Sequence, residues 1–219
     1  MPLVSLEVIR STWNAMASWS PAHADRAAKR FVERQPVVNA AVLALTEDAG
    51  EQAASMALYC ACAIAECYET VRRRALPRVR ERIMDEALQD MERWGRDLEN
   101  MDEQLFARRA LYGRDHRQPY LVAELIRYLM DAADEGDFDG KDLGMIFSVL
   151  LAVIRAFDGV TTPARRVPSM EQVLRELTGR PLPCLHRSSP CPCGSGRRYR
   201  ECCLKKKSLP SPRSRAPLH

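Results

Sequence analysis

Apolar side chains recur every three or four residues along most of the chain, and no stretch shows the alternation of a half-buried strand. The pattern predicts an all-α fold, a helical bundle. Its clearest stretch is Val79, Ile83, Ala87, Met91, Trp94, Leu98, Met101 and Leu105, which sets one stripe along a long helix. Pro77 suits the first turn of that helix, where a missing N–H loses no partner, and Gly95 marks where the helix would bend or split. The early spacing lies closer to 4 than to the 3.5 of a coiled coil, so the stripe is expected to face a bundle core.

Two segments read as copies of one helical hairpin. Arg34-Gln35-Pro36 recurs as Arg117-Gln118-Pro119, and each triplet opens a helix with an apolar stripe: Val37, Val38, Val42 and Leu43 in one, Leu121, Val122, Leu125 and Leu129 in the other. After an acidic loop, the apolar helix Met56 to Val71 lies over Met145 to Val160, matching Tyr68 to Phe157 and Glu69 to Asp158. The offset grows from 83 residues at the triplet to 89 at the helix, which puts six extra residues in the second loop. A duplication of this kind predicts a pseudo-symmetric bundle with the two repeat helices at its centre, the Pro77 helix crossing between halves, and Val4 to Trp19 as a covering helix. Ser169 and Gln172 form a capping box that opens a last short helix ending near Gly179.

Beyond Gly179 the composition changes abruptly. Pro181, Pro183, Ser188, Ser189, Pro190 and Pro192 mark a linker. The predicted organisation is a helical body over 1–179, a linker over 180–189, a cysteine-rich module over 190–207 and a disordered tail over 208–219, rich in proline, serine and arginine. Charge follows the same division. From Gly196 to His219 there are eight basic residues against Glu201, a net of +7, so with +4 overall the remainder carries about −3. Attraction to anionic partners is therefore expected of the tail and not of the body.

Hydrophobic content of 46% with 28% charged residues fits a soluble globular protein, and no apolar run reaches the roughly 18 to 20 residues of a membrane span. Glu7, Arg10 and Asn14 interrupt the stretch from Met1 to Trp19, so no export signal is expected and the protein is read as cytoplasmic. In that compartment thiols stay reduced, and four of the eight cysteines crowd into the thirteen residues from Cys191 to Cys203, which points to metal instead of disulfides.

Cys191-Pro-Cys193 and Cys202-Cys203 are two close thiol pairs separated by a turn containing Gly194 and Gly196. One tetrahedral ion can gather all four sulfurs, and zinc bound by four protein thiolates is structural, with no position left open for a substrate. The glycines permit a tight backbone and leave amides to hydrogen-bond the sulfurs, and Tyr199 is expected to pack as the module's small core. About a dozen residues bury too little apolar surface to fold alone, so metal must supply most of the folding free energy.

The segment resembles the SEC-C motif, named for the carboxyl-terminal tail of the SecA translocase ATPase: Cys-x-Cys, a glycine-serine-glycine turn, basic residues, an aromatic, and a closing Cys-Cys or Cys-His. Here the turn is Gly194-Ser195-Gly196, the basic rim Arg197, Arg198 and Arg200, the aromatic Tyr199, and the closing pair Cys202-Cys203. Arginine stands where lysine is commoner in the motif, which keeps the charge. The resemblance implies one zinc ion on Cys191, Cys193, Cys202 and Cys203, in a docking knob of the kind that in SecA contacts the SecB chaperone and the ribosome. It covers about fifteen residues and implies nothing about the body, whose layout is similar to YecA-like proteins by analogy only.

Other candidates read as structure. Cys60, Cys62 and Cys67 lie in an apolar helix, where free cysteine behaves as a small hydrophobe. Cys184 and His186 read as linker residues. Glu135 to Gly140 looks like part of a calcium loop, but aligning its glycine puts Ile146 where the bidentate glutamate belongs, so an acidic interhelix loop is expected. His23 and His116 lack triad partners, and no zinc-protease, phosphate-loop or dinucleotide signature occurs. A non-enzymatic accessory protein is expected, with a protein partner on the body and a second macromolecule on the knob. Arg197, Arg198, Tyr199, Arg200, Lys205, Lys206 and Lys207 are its contact residues. The alternative is ribosome or RNA association through that same basic patch. An active site would instead have to lie around Tyr68, Glu69, Phe157 and Asp158.

Overall fold

A computed structural model describes residues 3–95, 116–161 and 167–178, together with Arg198. Every regular element among them is helical: α1 (Leu6–Ala17), α2 (Pro21–Arg34), α3 (Pro36–Thr46), α4 (Gly50–Arg72), α5 (Glu81–Gly95), α6 (Pro119–Glu135), α7 (Leu143–Gly159) and α8 (Met170–Thr178). No described helix is long and apolar enough to cross a membrane.

Local chemistry sets the helix ends. The hydroxyls of Ser5 and Ser20 accept from the amides of Val8 and His23, satisfying donors that a first turn leaves unpaired. Pro21, Pro36 and Pro119 each occupy a first helical position. Gly136 closes α6 at φ +83°, a left-handed conformation that suits glycine. The acidic stretch after it is an interhelix turn, as its sequence suggests, with the Asp139 carboxylate accepting from the Lys141 amide. Ser169 and Gln172 exchange hydrogen bonds of 2.8 and 3.3 Å in the expected capping box at the start of α8.

The duplicated hairpin is present as α3–α4 and α6–α7. The caps of the two first helices share one backbone conformation, φ −128°, ψ 54° at Gln35 and φ −125°, ψ 65° at Gln118. α4 packs against α7 at the centre of the bundle, and both run through the core from end to end.

The repeat is longer than the sequence reading supposed. α1 packs on α4 and α6, and α5 packs on α7 and α3, so α1 and α5 occupy equivalent places. Shifted by 75 residues, Val4, Val8, Ile9, Trp13, Met16 and Trp19 fall on Val79, Ile83, Met84, Leu88, Met91 and Trp94. Val4, Ile9 and Met16 are buried, and so are Val79, Met84 and Met91. The covering helix and the crossing helix are therefore the two copies of one leading element.

Two expectations need correction. Pro77 does not open a helix. It lies in a segment without regular structure before α5, where its carbonyl accepts from Gln35 Nε2 at 3.0 Å and the Val79 amide donates to Gln35 Oε1 at 3.0 Å. Those bonds tie residues 77 and 79 to Gln35, and α5 begins only at Glu81. Its stripe over Ile83, Ala87, Met91 and Trp94 faces the core as expected, while Leu98, Met101 and Leu105 lie outside the described residues. Leu43, set by the sequence in one apolar stripe of α3 with Val38 and Val42, does not share their burial and is 43% exposed.

Candidate functional site

The centre of the bundle is a polar network inside an apolar shell. Tyr68 on α4 and Phe157 on α7 are fully buried and meet edge to face, ring centroids 5.5 Å apart. The Tyr68 hydroxyl donates to Asp158 Oδ1 at 2.9 Å and lies 3.2 Å from the Ile154 carbonyl. Gln118 Nε2 donates to the same Asp158 oxygen at 3.5 Å. Burial pushes the Asp158 carboxyl above its ordinary range, against the pull of Tyr68, Gln118, Arg117 and Arg155. Burial likewise pushes the Tyr68 hydroxyl up.

The equivalent position in the first copy is Glu69. Its carboxylate accepts from the Leu76 amide at 3.0 Å and pairs with Arg34 at 3.4 Å. The four residues around which an active site would have to form are thus joined to one another or to backbone. Their arrangement accounts for their burial through packing and hydrogen bonding.

Gln35 and Gln118 are the functional pair that the sequence reading missed. Both are buried, at 2% and 3% exposure, and each takes the amide of the valine two residues before the other copy's leading helix. Val79 donates to Gln35, and Val4 donates to Gln118 at 2.9 Å. The triplet Arg-Gln-Pro, which both copies retain, carries the signal, although by itself it marks only a helix opening. Gln35→Ala and Gln118→Ala should each destabilise the body by about 1–3 kcal/mol, because each strands a buried amide. Urea unfolding checks this, and losses below about 0.5 kcal/mol would show that the segments ahead of α1 and α5 dock by their side chains alone.

Cys60 and Cys67 are buried and Cys62 half-buried, all as free thiols. Burial is the first cause that raises all three, to about 12 for Cys62 and Cys67, so none is a ready thiolate. His23 stacks on Trp19 at 4.6 Å. Among the described residues no three His, Cys, Asp or Glu side chains gather in a way that could hold a metal ion.

Cys191, Cys193, Cys202 and Cys203 lie outside the described residues, as do Arg197, Tyr199, Arg200 and Lys205 to Lys207. Of the contact residues predicted from sequence only Arg198 is described, and it is exposed. The donor set itself fits zinc: four thiols and no competing hard oxygen ligand within the Cys-x-Cys and Cys-Cys pairs.

Fold and cysteine pattern together define a class, a protein whose described residues form a helical bundle and whose sequence carries a short cysteine-rich segment after them. That segment is similar to the SEC-C motif, whose family model matches residues 187–205 and so takes in all four cysteines, the three arginines and Lys205. No curated protein and no solved structure matches the chain.

Proposed function

We propose that this is a zinc-binding accessory protein of a reducing, cytoplasmic setting, whose helical body binds a protein partner while the SEC-C-like segment docks to a second macromolecule. The observation that supports it is the family match over 187–205, in which four thiols and a basic rim stand together. Zinc on Cys191, Cys193, Cys202 and Cys203 would hold the knuckle's backbone and present Arg197, Arg198, Tyr199 and Arg200 from a fixed frame, with Lys205, Lys206 and Lys207 adjoining. The metal's part is structural, and the chain's basic side chains make the contact. Attachment, with no reaction, is the function this reading assigns.

A second reading is favoured by the net +7 from Gly196 to His219: ribosome or RNA association through that patch. A pull-down from host lysate at low and high salt, comparing the intact protein with a version ending at Gly179, separates the two. A protein retained by the shortened chain and resistant to salt supports the adaptor reading. RNA that strips off with salt and is lost on truncation supports the second.

A further inference from the structure

The internal repeat exposes a place where one copy is covered and the other is not. With the triplets aligned, Val38, Val42 and Thr46 of α3 fall on Leu121, Leu125 and Leu129 of α6, and all six are buried. The next face round behaves differently. Pro36, Ala40 and Leu43 share one side of α3 at spacings of four and three, and all three are exposed. Their counterparts Pro119, Ala123 and Ile126 are buried, with Leu43 at 43% against Ile126 at 4%.

The second copy has α8 packed beside it. It packs on α6, burying Met170 and Val173 and half-burying Leu174 and Leu177, an apolar stripe at i, i+3, i+4 and i+7. The Tyr120 hydroxyl bonds to Glu176 across the contact. Among the described residues the first copy has no such helix after α4. After α4 the chain passes through residues 73–80, held by Glu69 and Gln35, directly into α5. Where the uncovered face meets the start of α4 there is an open groove of about 400 Å³. Leu43, Ala44, Gly50 and Ala54 line it, with Glu47 and Glu51 as its only charged residues among the described ones.

We infer that the Pro36, Ala40 and Leu43 face of α3, with this groove, receives an amphipathic helix from a partner protein. The helix is apolar at the spacing of α8, and a lysine or arginine at one end meets Glu47 and Glu51. The repeat argues for a helix, since α8 packs on the equivalent helix of the second copy, and the two exposed carboxylates, with no ion pair among the described residues, argue for a basic one. The inference rests on the reading that the body binds protein and names the surface that does so.

The test uses the full chain and a labelled synthetic helical peptide with methionine, valine, leucine and leucine at i, i+3, i+4 and i+7 and flanking lysines, against a scrambled control. Binding is followed by fluorescence anisotropy, and its footprint by amide hydrogen exchange. The expected result is selective binding that protects residues 36–46 and weakens roughly tenfold or more in Leu43→Asp, and again in Glu47→Lys with Glu51→Lys. Both variants alter exposed positions, so their melting should match the parent. Binding indifferent to both variants, or protection falling on 119–135, overturns the proposal. A dimer that Leu43→Asp dissociates identifies a second copy as the occupant, and peptide binding that appears only after removal of residues 180–219 identifies the chain's own tail, and either overturns it too. If Leu43→Asp still retains the lysate protein captured by the parent, this surface is wrong while the adaptor reading stands. If the parent captures no protein, that reading fails by itself.

Discussion

Phe157→Ala should lower the folding stability of the body by about 3–5 kcal/mol, a large share of what a domain of this size possesses. The ring is fully buried where α4 and α7 cross, edge to face with Tyr68, and both helices are packed on their other sides by α1, α3, α5 and α6. Neighbours so constrained can collapse only partly into the space, so a cavity term adds to the lost transfer energy. Tyr68→Phe, which removes one oxygen and keeps the ring, should cost about 1–3 kcal/mol by taking the nearest donor from the buried Asp158 carboxylate. Urea unfolding followed by helical circular dichroism measures both. A loss below about 1 kcal/mol for Phe157→Ala would mean that the α4–α7 contact is not the centre on which the halves are joined.

The comparison of these two substitutions carries information about the duplication itself. Phe157 and Tyr68 are equivalent positions, yet the second copy uses the plain ring and places its acid, Asp158, to accept from the first copy's hydroxyl. The first copy's acid, Glu69, turns instead to the Leu76 amide and Arg34 and holds the connection to α5. Equivalent positions thus serve as a buried cross-link between the copies and as a brace for the chain between them.

The sequence made the helical class, the hairpin repeat and the last capping box legible because each is written locally, as a period, a triplet or a pair of side chains three residues apart. It left the kinship of α1 and α5 unseen. Val4, Met16 and Trp19 recur as Val79, Met91 and Trp94, but three scattered identities make no local motif, and equivalence there is a matter of which helix packs on which. Pro77 was misread for a related reason: local preference allowed a helix start, and a glutamine 42 residues earlier in sequence overrode it. Leu43 shows the converse limit. An apolar periodicity predicts which face of α3 is greasy, but its burial depends on a neighbouring helix, and no described helix follows α4 to cover it as α8 follows α7. The cysteines of the knuckle were the most legible candidate site because thiol ligands at short spacing need no distant partner to be recognised.

Cys202→Ser with Cys203→Ser should abolish zinc binding, from about one ion per chain to none, while helicity and melting of the body stay nearly unchanged. Two thiolates cannot complete a tetrahedral soft site, and structural zinc in such small modules is worth roughly 10–16 kcal/mol, far more than a dozen residues can recover by packing. The body has no evident need of that energy. Its described core runs from Val4 to Val173, and α8 closes it at Thr178, ahead of the first ligand by a segment rich in proline and serine. Metal content by atomic emission and thermal melting by circular dichroism test the two halves of the expectation separately. Retained stoichiometric zinc would move the ligands elsewhere, with Cys184 and His186 the nearest substitutes. Zinc lost together with several degrees of melting temperature would mean that the knuckle packs on the bundle, and that the boundary near Gly179 divides one folding unit instead of separating two.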